Sequence, residues 1–172
     1  MDKNMIYVDM DGVIADFFGG LERFHGVKHW KVVKEDSILA LRNSNFFYTL
    51  DPFETSGQLI QHVRELTGGM DWGINTSPLR NDNYNSAYWK RRWLEDHGWF
   101  PEAARFIVTC RKEKYATAPF DGKPNILIDD KPSNIKAWND KGGIGIRYQA
   151  NEDDLEEYLF MQLDEALKGI NS

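Results

Sequence analysis

Two periodicities of apolar residues alternate along this chain, and their alternation predicts its architecture. Residues 5–8, 71–75, 105–109, 124–128 and 143–148 are short runs rich in apolar side chains, the pattern of buried strands. Helical spacing fills the intervals. Val13, Phe17, Leu21 and Phe24 predict a helix over 13–25, loosened at Gly19-Gly20. Leu59, Ile60, Val63 and Leu66 predict one over 56–67, stopped by Gly68-Gly69. Tyr88, Trp89 and Trp93 give 81–97 an apolar stripe, with Gly98 as terminator. Ser133, after Pro132, caps a short helix to 140. Asn151 caps a last helix that keeps Leu155, Leu159 and Leu163 on one side and ends at Gly169. Residues 26–50 are irregular, with aromatic and aliphatic residues scattered among charges, and read as a small helical insertion.

Strands alternating with helices predict an α/β fold. We expect a Rossmann-like parallel sheet of about five strands with helices on both faces. A small helical cap is inserted after the first strand. Residues 1–16 and 51–172 form the core domain in this reading, and 17–50 the cap. Ligands of such sheets gather at the carboxyl ends of the strands, near the point where the winding reverses.

Composition narrows the function classes. With 41% hydrophobic and 28% charged residues the chain reads as a globular protein, and a net charge of -6 argues against a duplex-binding protein. The single cysteine, Cys110, excludes an internal disulfide and a cysteine-rich zinc site, which fits a reducing cytoplasm. We expect Cys110 to be a small, buried or half-buried side chain. No apolar run is long enough for a membrane span, and Met1-Asp2-Lys3-Asn4 lacks the apolar stretch of a leader.

Candidate chemistry collects where strands end. The first closes on Asp9-Met10-Asp11-Gly12, two carboxylates at a turn into a helix. The fourth closes on Asp129-Asp130. Acidic clusters at the ends of two buried strands call for a shared cation, and oxygen ligands suit magnesium. The second strand runs into Thr76-Ser77-Pro78, whose hydroxyls and amides suit phosphate oxygens. Lys90 lies in a run of three bases, where a solvated helix face is the ordinary outcome and the preferred one for Arg91 and Arg92. Arg111-Lys112-Glu113-Lys114 reads as a solvated loop.

The string Val8-Asp9-Met10-Asp11-Gly12-Val13 resembles the first motif of the haloacid dehalogenase-like phosphotransferases. Ala15-Asp16-Phe17, Asn45-Phe46-Phe47, Thr76-Ser77-Pro78 and Leu127-Ile128-Asp129-Asp130 resemble one branch, the 5'(3')-deoxyribonucleotidases. The resemblance implies a phosphatase of deoxyribonucleoside monophosphates. In it Asp9 is the nucleophile and Asp11 the general acid and base, with magnesium on Asp9, the Asp11 backbone carbonyl and Asp130, and Asp129 behind them. Lys90, three residues before Trp93, takes the family's phosphate-binding position beside Thr76 and Ser77. Phe17 borders the nucleoside, and Arg80 and Arg111 line the phosphate or nucleotide. The implied partner is a small nucleotide, with no duplex nucleic acid and no membrane, and a homodimer is compatible with the resemblance. The cap is shorter than the family's, and Leu41 falls where the family carries a tryptophan near the base, so no base is assigned.

From the residues alone, Asp129 and Asp130 remain alternatives as ligand, because neighbours on a strand point to opposite sides. Two further readings are open: a phosphatase of another small ester, and a non-catalytic nucleotide-binding module. Loss of Asp9 or Asp11 would mark the latter, and both are present.

Overall fold

The structure, a computed structural model, describes residues 4–172. The first three residues of the tetrapeptide used in the leader argument therefore lie outside the described residues. Five parallel strands form one sheet in the order β3-β2-β1-β4-β5: β1 Ile6–Val8, β2 Trp72–Thr76, β3 Phe106–Val108, β4 Ile126–Asp129 and β5 Ile144–Arg147. The chain winds outward from β1 through β2 to β3, then returns to the other side of β1 for β4 and β5. The winding therefore reverses between β1 and β4.

Strand alternation divides the core. Ile6, Val8, Ile74, Ile126 and Ile128 face the large apolar cluster, where they meet α3 (Ser56–Thr67), α4 (Asn83–His97) and α6 (Met161–Asn171) through Leu59, Leu94 and Leu163. Tyr7 and Leu127 face the other side, against Trp138 of α5 (Pro132–Asp140) and Ala116. Each fully buried aliphatic contributes about 1.5–3 kcal/mol, so both faces favour this register over a one-residue slip.

Residues 17–50 contain α1 (Phe17–His25), α2 (Glu35–Leu39) and single 3-10 turns at Trp30–Val32 and Phe46–Thr49. Leu41, Phe46, Phe47 and Leu50 are buried in the same cluster as β1, and Trp93 Nε1 of α4 donates to Leu50 O at 2.7 Å. Among the described residues no helix is long and apolar enough to cross a membrane.

Four helix starts differ from the sequence reading, α4 by two residues, at Asn83 with Asp82 as its cap position. α1 begins at Phe17 rather than Val13, because the Asp16 carboxylate accepts the Gly19 N–H at 2.9 Å and caps the helix there. α5 begins with Pro132 in its first turn, a position where the missing N–H costs nothing, so Lys131 and not Ser133 is its cap. The last helix starts at Asp154, which caps a π-helical segment, Leu155–Phe160. Asn151 is engaged elsewhere, accepting from Gln149 Nε2 at 2.8 Å, and Gly169 lies inside α6. Gly68 and Gly98 do end their helices, in left-handed conformation.

Candidate active site

The reversal between β1 and β4 places two acidic strand ends side by side. The Asp9 N–H still donates to Ile128 O at 2.9 Å, so its carboxylate, 5% exposed, is fixed by the sheet. The chain then folds back tightly, with the N–H groups of Ile14 and Ala15 both 2.9 Å from Met10 O. Gly12 sits at φ +83°, and a Cβ there would run into the Asp130 carboxylate. Glycine thus supplies both the turn and the room for Asp130.

Asp9, Asp129 and Asp130 offer oxygen atoms that all lie within 4.8 Å of one another. Lys112 Nζ, 3% exposed, lies 2.9 Å from Asp9 Oδ1 and 2.6 Å from Asp129 Oδ2. Burial pulls the Lys112 pKa down, but the carboxylates of Asp9 and Asp129 outweigh it and hold the pKa above the ordinary lysine value. Asp129 accepts three hydrogen bonds: Oδ1 from the Lys131 N–H at 2.9 Å, and Oδ2 from Lys112 and from Asn134 Nδ2 at 3.1 Å. No side chain among the described residues donates to Asp130. Burial, then repulsion from Asp9, Asp129 and Asp11, pushes Asp130 up to about 8, and burial with Asp9 pushes Asp129 up to about 6. Four carboxylates here face two ammonium groups. That excess of negative charge, all of it on oxygen, fits a hard divalent cation. Asp9, Asp129 and Asp130 are the carboxylates grouped to hold it, and Asp130 is the one that no side chain among the described residues already engages.

Asp11 belongs to a separate network on the other side of the turn. Lys90 is fully buried and donates to Asp11 Oδ2 at 3.0 Å, Thr76 Oγ1 at 2.7 Å and the Ser77 carbonyl at 2.7 Å, with its Nζ 4.4 Å from the Phe47 ring centroid. All three ammonium protons are thus engaged. Asp11 Oδ1 is buried without a partner. Burial raises the Asp11 pKa against the pull of Lys90.

A cavity of about 500 Å3 opens over these groups. Asp9, Asp11 and Asp130 lie at its acidic end, Ser77 beside them, and Phe17, Phe18, Trp30 and Phe47 form an aromatic wall. Phe17 stacks on Phe47 at 6.3 Å and meets Phe46 edge-on at 5.8 Å. Thr76 and Lys90 stand behind the lining, not in it. Leu41 is 1% exposed in the core and has no part in the cavity. Arg80 and Arg111 are exposed and do not line it; Arg111 pairs instead with Glu113 at 3.4 Å. Cys110 is exposed, contrary to the expectation from its apolar strand, because β3 ends at Val108.

Lys112, Phe18 and Asn134 are among the residues that the sequence reading passed over. Lys112 follows the end of β3, and the strand-end rule that singles out Asp9, Ser77 and Asp130 applies to it equally.

The raised carboxyl groups make a stability prediction. Asp129 and Asp130 bind protons in the folded state that the unfolded chain, with ordinary carboxyl values near 4, has already released. Stability of metal-free protein should therefore fall as pH rises from about 4 to about 8. Lys112 stays charged throughout that window and does not alter the sign. Magnesium should flatten the slope by favouring ionised carboxylates. Thermal midpoints recorded against pH in chelator and in magnesium check this, and parallel curves would contradict it.

No family model matches the chain. The mitochondrial 5'(3')-deoxyribonucleotidases of Mus musculus and Homo sapiens are each 27% identical to it over 150 residues, a match covering 74% of this chain. It spans 64% of the mouse protein and 62% of the human one. A solved HAD hydrolase, family IA, variant 3, from Entamoeba histolytica superposes with a TM-score of 0.50 at 14% identity, over 90% of this chain and 87% of that one. The reversal of winding, the acidic strand ends and these similarities together make the chain a distant homologue of the 5'(3')-deoxyribonucleotidases, with the fold of the haloacid dehalogenase-like hydrolases.

Proposed function

We propose that the chain is a magnesium-dependent phosphatase of deoxyribonucleoside 5'-monophosphates. The observation that carries this reading is the placement in one cavity of Asp9, held by Lys112, and Asp11, whose pKa is raised by burial. Asp9 attacks phosphorus, forming the bond to its oxygen as the ester P–O bond breaks, and Asp11 gives its proton to the leaving alcohol oxygen. Asp11 then takes a proton from water as that water attacks phosphorus, and the bond to Asp9 breaks to release phosphate. Lys112 holds Asp9 in place and offsets its charge. Lys90 orients Asp11, and Ser77 offers its hydroxyl to the phosphate. Asp9, Asp130 and the Asp11 backbone carbonyl would hold the magnesium. Bound there, it would supply charge neutralisation between nucleophile and phosphate.

The aromatic wall supports a nucleoside as the leaving group, since Phe17 and Trp30 line the same cavity as the acidic end and aromatic side chains there could pack against a base. The names of the mouse and human relatives point the same way. The exposed, unpaired Cys110 suits a reducing compartment such as the cytoplasm.

Phosphate release across a panel of substrates tests this. dUMP or dTMP should exceed simple sugar phosphates and p-nitrophenyl phosphate in kcat/KM, chelator should stop turnover and magnesium restore it. Phe17→Ala should cut the nucleotide preference by roughly tenfold, the size of one lost stacking contact. Equal efficiency on nucleotides and sugar phosphates would leave the chemistry but overturn the substrate.

A further inference from the structure

A second cavity, about 700 Å3, opens at the opposite end of the sheet, where the strands begin. Met5 and Tyr7 at the start of β1, Asp71 before β2, Arg105 before β3 and Asn125 before β4 contribute to it. The segment from Lys114 to Phe120 closes the remaining side.

Its cations are incompletely paired. Arg105 Nη1 is buried without a hydrogen bond, and the nearest carboxylates, Asp71 and Glu102, lie 3.9 Å from other guanidinium nitrogens, beyond hydrogen-bond reach. Lys114 forms no ion pair among the described residues. A buried guanidinium N–H without an acceptor is costly, and the Arg105 side chain, 25% exposed, would need only a small shift to bring it to an incoming anion. Arg105 and Lys114 share this wall with one carboxylate, Asp71, so the concavity is less negative than the chain as a whole, which carries -6.

The rest of the wall is aromatic. Tyr7 and Tyr115 meet edge to face at 6.3 Å, and Phe120 stands 88% exposed at the lip, an unusual place for a phenyl ring without a partner. Cations beside the exposed rings of Tyr115 and Phe120 recognise a flat ring that bears an anion, with the buried Tyr7 behind them. The volume lies within the range of sites for ligands of that size.

We propose that this cavity is a second ligand site, for a nucleoside phosphate, with the phosphate on Arg105 and Lys114 and the base against Tyr7, Tyr115 and Phe120. It is separate from the acidic cavity but shares one element with it. The single turn Lys112–Tyr115 places Lys112 on Asp9 at one end and Lys114 and Tyr115 in the second wall at the other.

The test is an NMR titration of the 15N-labelled, magnesium-loaded full chain with the 5'-methylenephosphonate analogue of AMP, whose P–C bond the proposed chemistry does not cleave. Saturable shifts are expected at the amides of Thr117, Phe120 and Asn125, with adenosine binding there at least about tenfold more weakly. Arg105→Gln should weaken that binding by about tenfold while leaving any shifts at Ser77 and Asp130 unchanged. Lys114→Gln, a change at an exposed position that leaves folding intact, should weaken it in the same way. The proposal is overturned by shifts confined to the acidic cavity, by equal affinity for adenosine and the phosphonate, or by indifference to Lys114→Gln. Shifts at Phe120 that track protein concentration without ligand would assign the face to self-association and overturn it as well.

Discussion

Asp9→Asn should lower phosphate release by about four orders of magnitude or more while the protein remains folded. The substitution keeps the side chain's shape and leaves the Ile128 hydrogen bond to the backbone intact. It removes a charge from a site with more carboxylates than ammonium groups, and Lys112 keeps Asp129 as partner at 2.6 Å. An amide cannot act as the attacking oxygen nucleophile, so no residual turnover by this route is expected. Steady-state phosphate release on purified variant, with circular dichroism to establish folding, decides it. Activity within tenfold of wild type would remove Asp9 from the chemistry.

Lys112→Met should be the most damaging single change to stability in the site. Removing the ammonium strips a partner from two buried carboxylates at once, and breaking a buried ion pair in this way costs about 3–5 kcal/mol. For a chain of this length that corresponds to a fall in Tm of roughly 10 °C. The loss should be smaller near pH 5 than near pH 8, because Asp129 and Asp130 take up protons at the lower pH and less charge is left uncompensated. Activity should fall too, since Asp9 loses the contact that orients it. Thermal unfolding at the two pH values checks the claim, and an unchanged Tm at pH 8 would show that the pair contributes nothing to the fold.

The five strands are legible in the sequence because a parallel sheet buries both faces, so each strand is an apolar run bounded by turn residues. Asp9, Asp11 and Asp129-Asp130 are legible for the complementary reason: charge at the end of such a run has no structural use there. What distinguishes Asp129 from Asp130 is not legible in the sequence, since it lies in which carboxylate other groups engage. Asn134, Lys131 and Lys112 do this to Asp129, and all three contacts are tertiary or depend on the local turn. Lys112 itself is hidden in a charged run whose composition is that of a surface loop, and only the approach of its turn to β1 and β4 buries it. Arg80 and Arg111 were carried by resemblance alone, and the structure brings neither to the cavity. The cap at Asp154 instead of Asn151 has a similar origin: Asp153 ties Gln149 and Arg147 together and holds residues 149–153 out of the helix.

The central claim is that phosphate passes through Asp9, and rapid acid quenching of a single turnover tests it most directly. Wild-type protein mixed with magnesium and dTMP radiolabelled on phosphorus should yield labelled protein that loses its label to hydroxylamine, as an acyl phosphate does, with the label on the peptide that contains Asp9. Asp9→Asn should give none. Full release of labelled phosphate with no label on the wild-type chain at any quench time, under conditions that preserve acyl phosphates, would contradict the account.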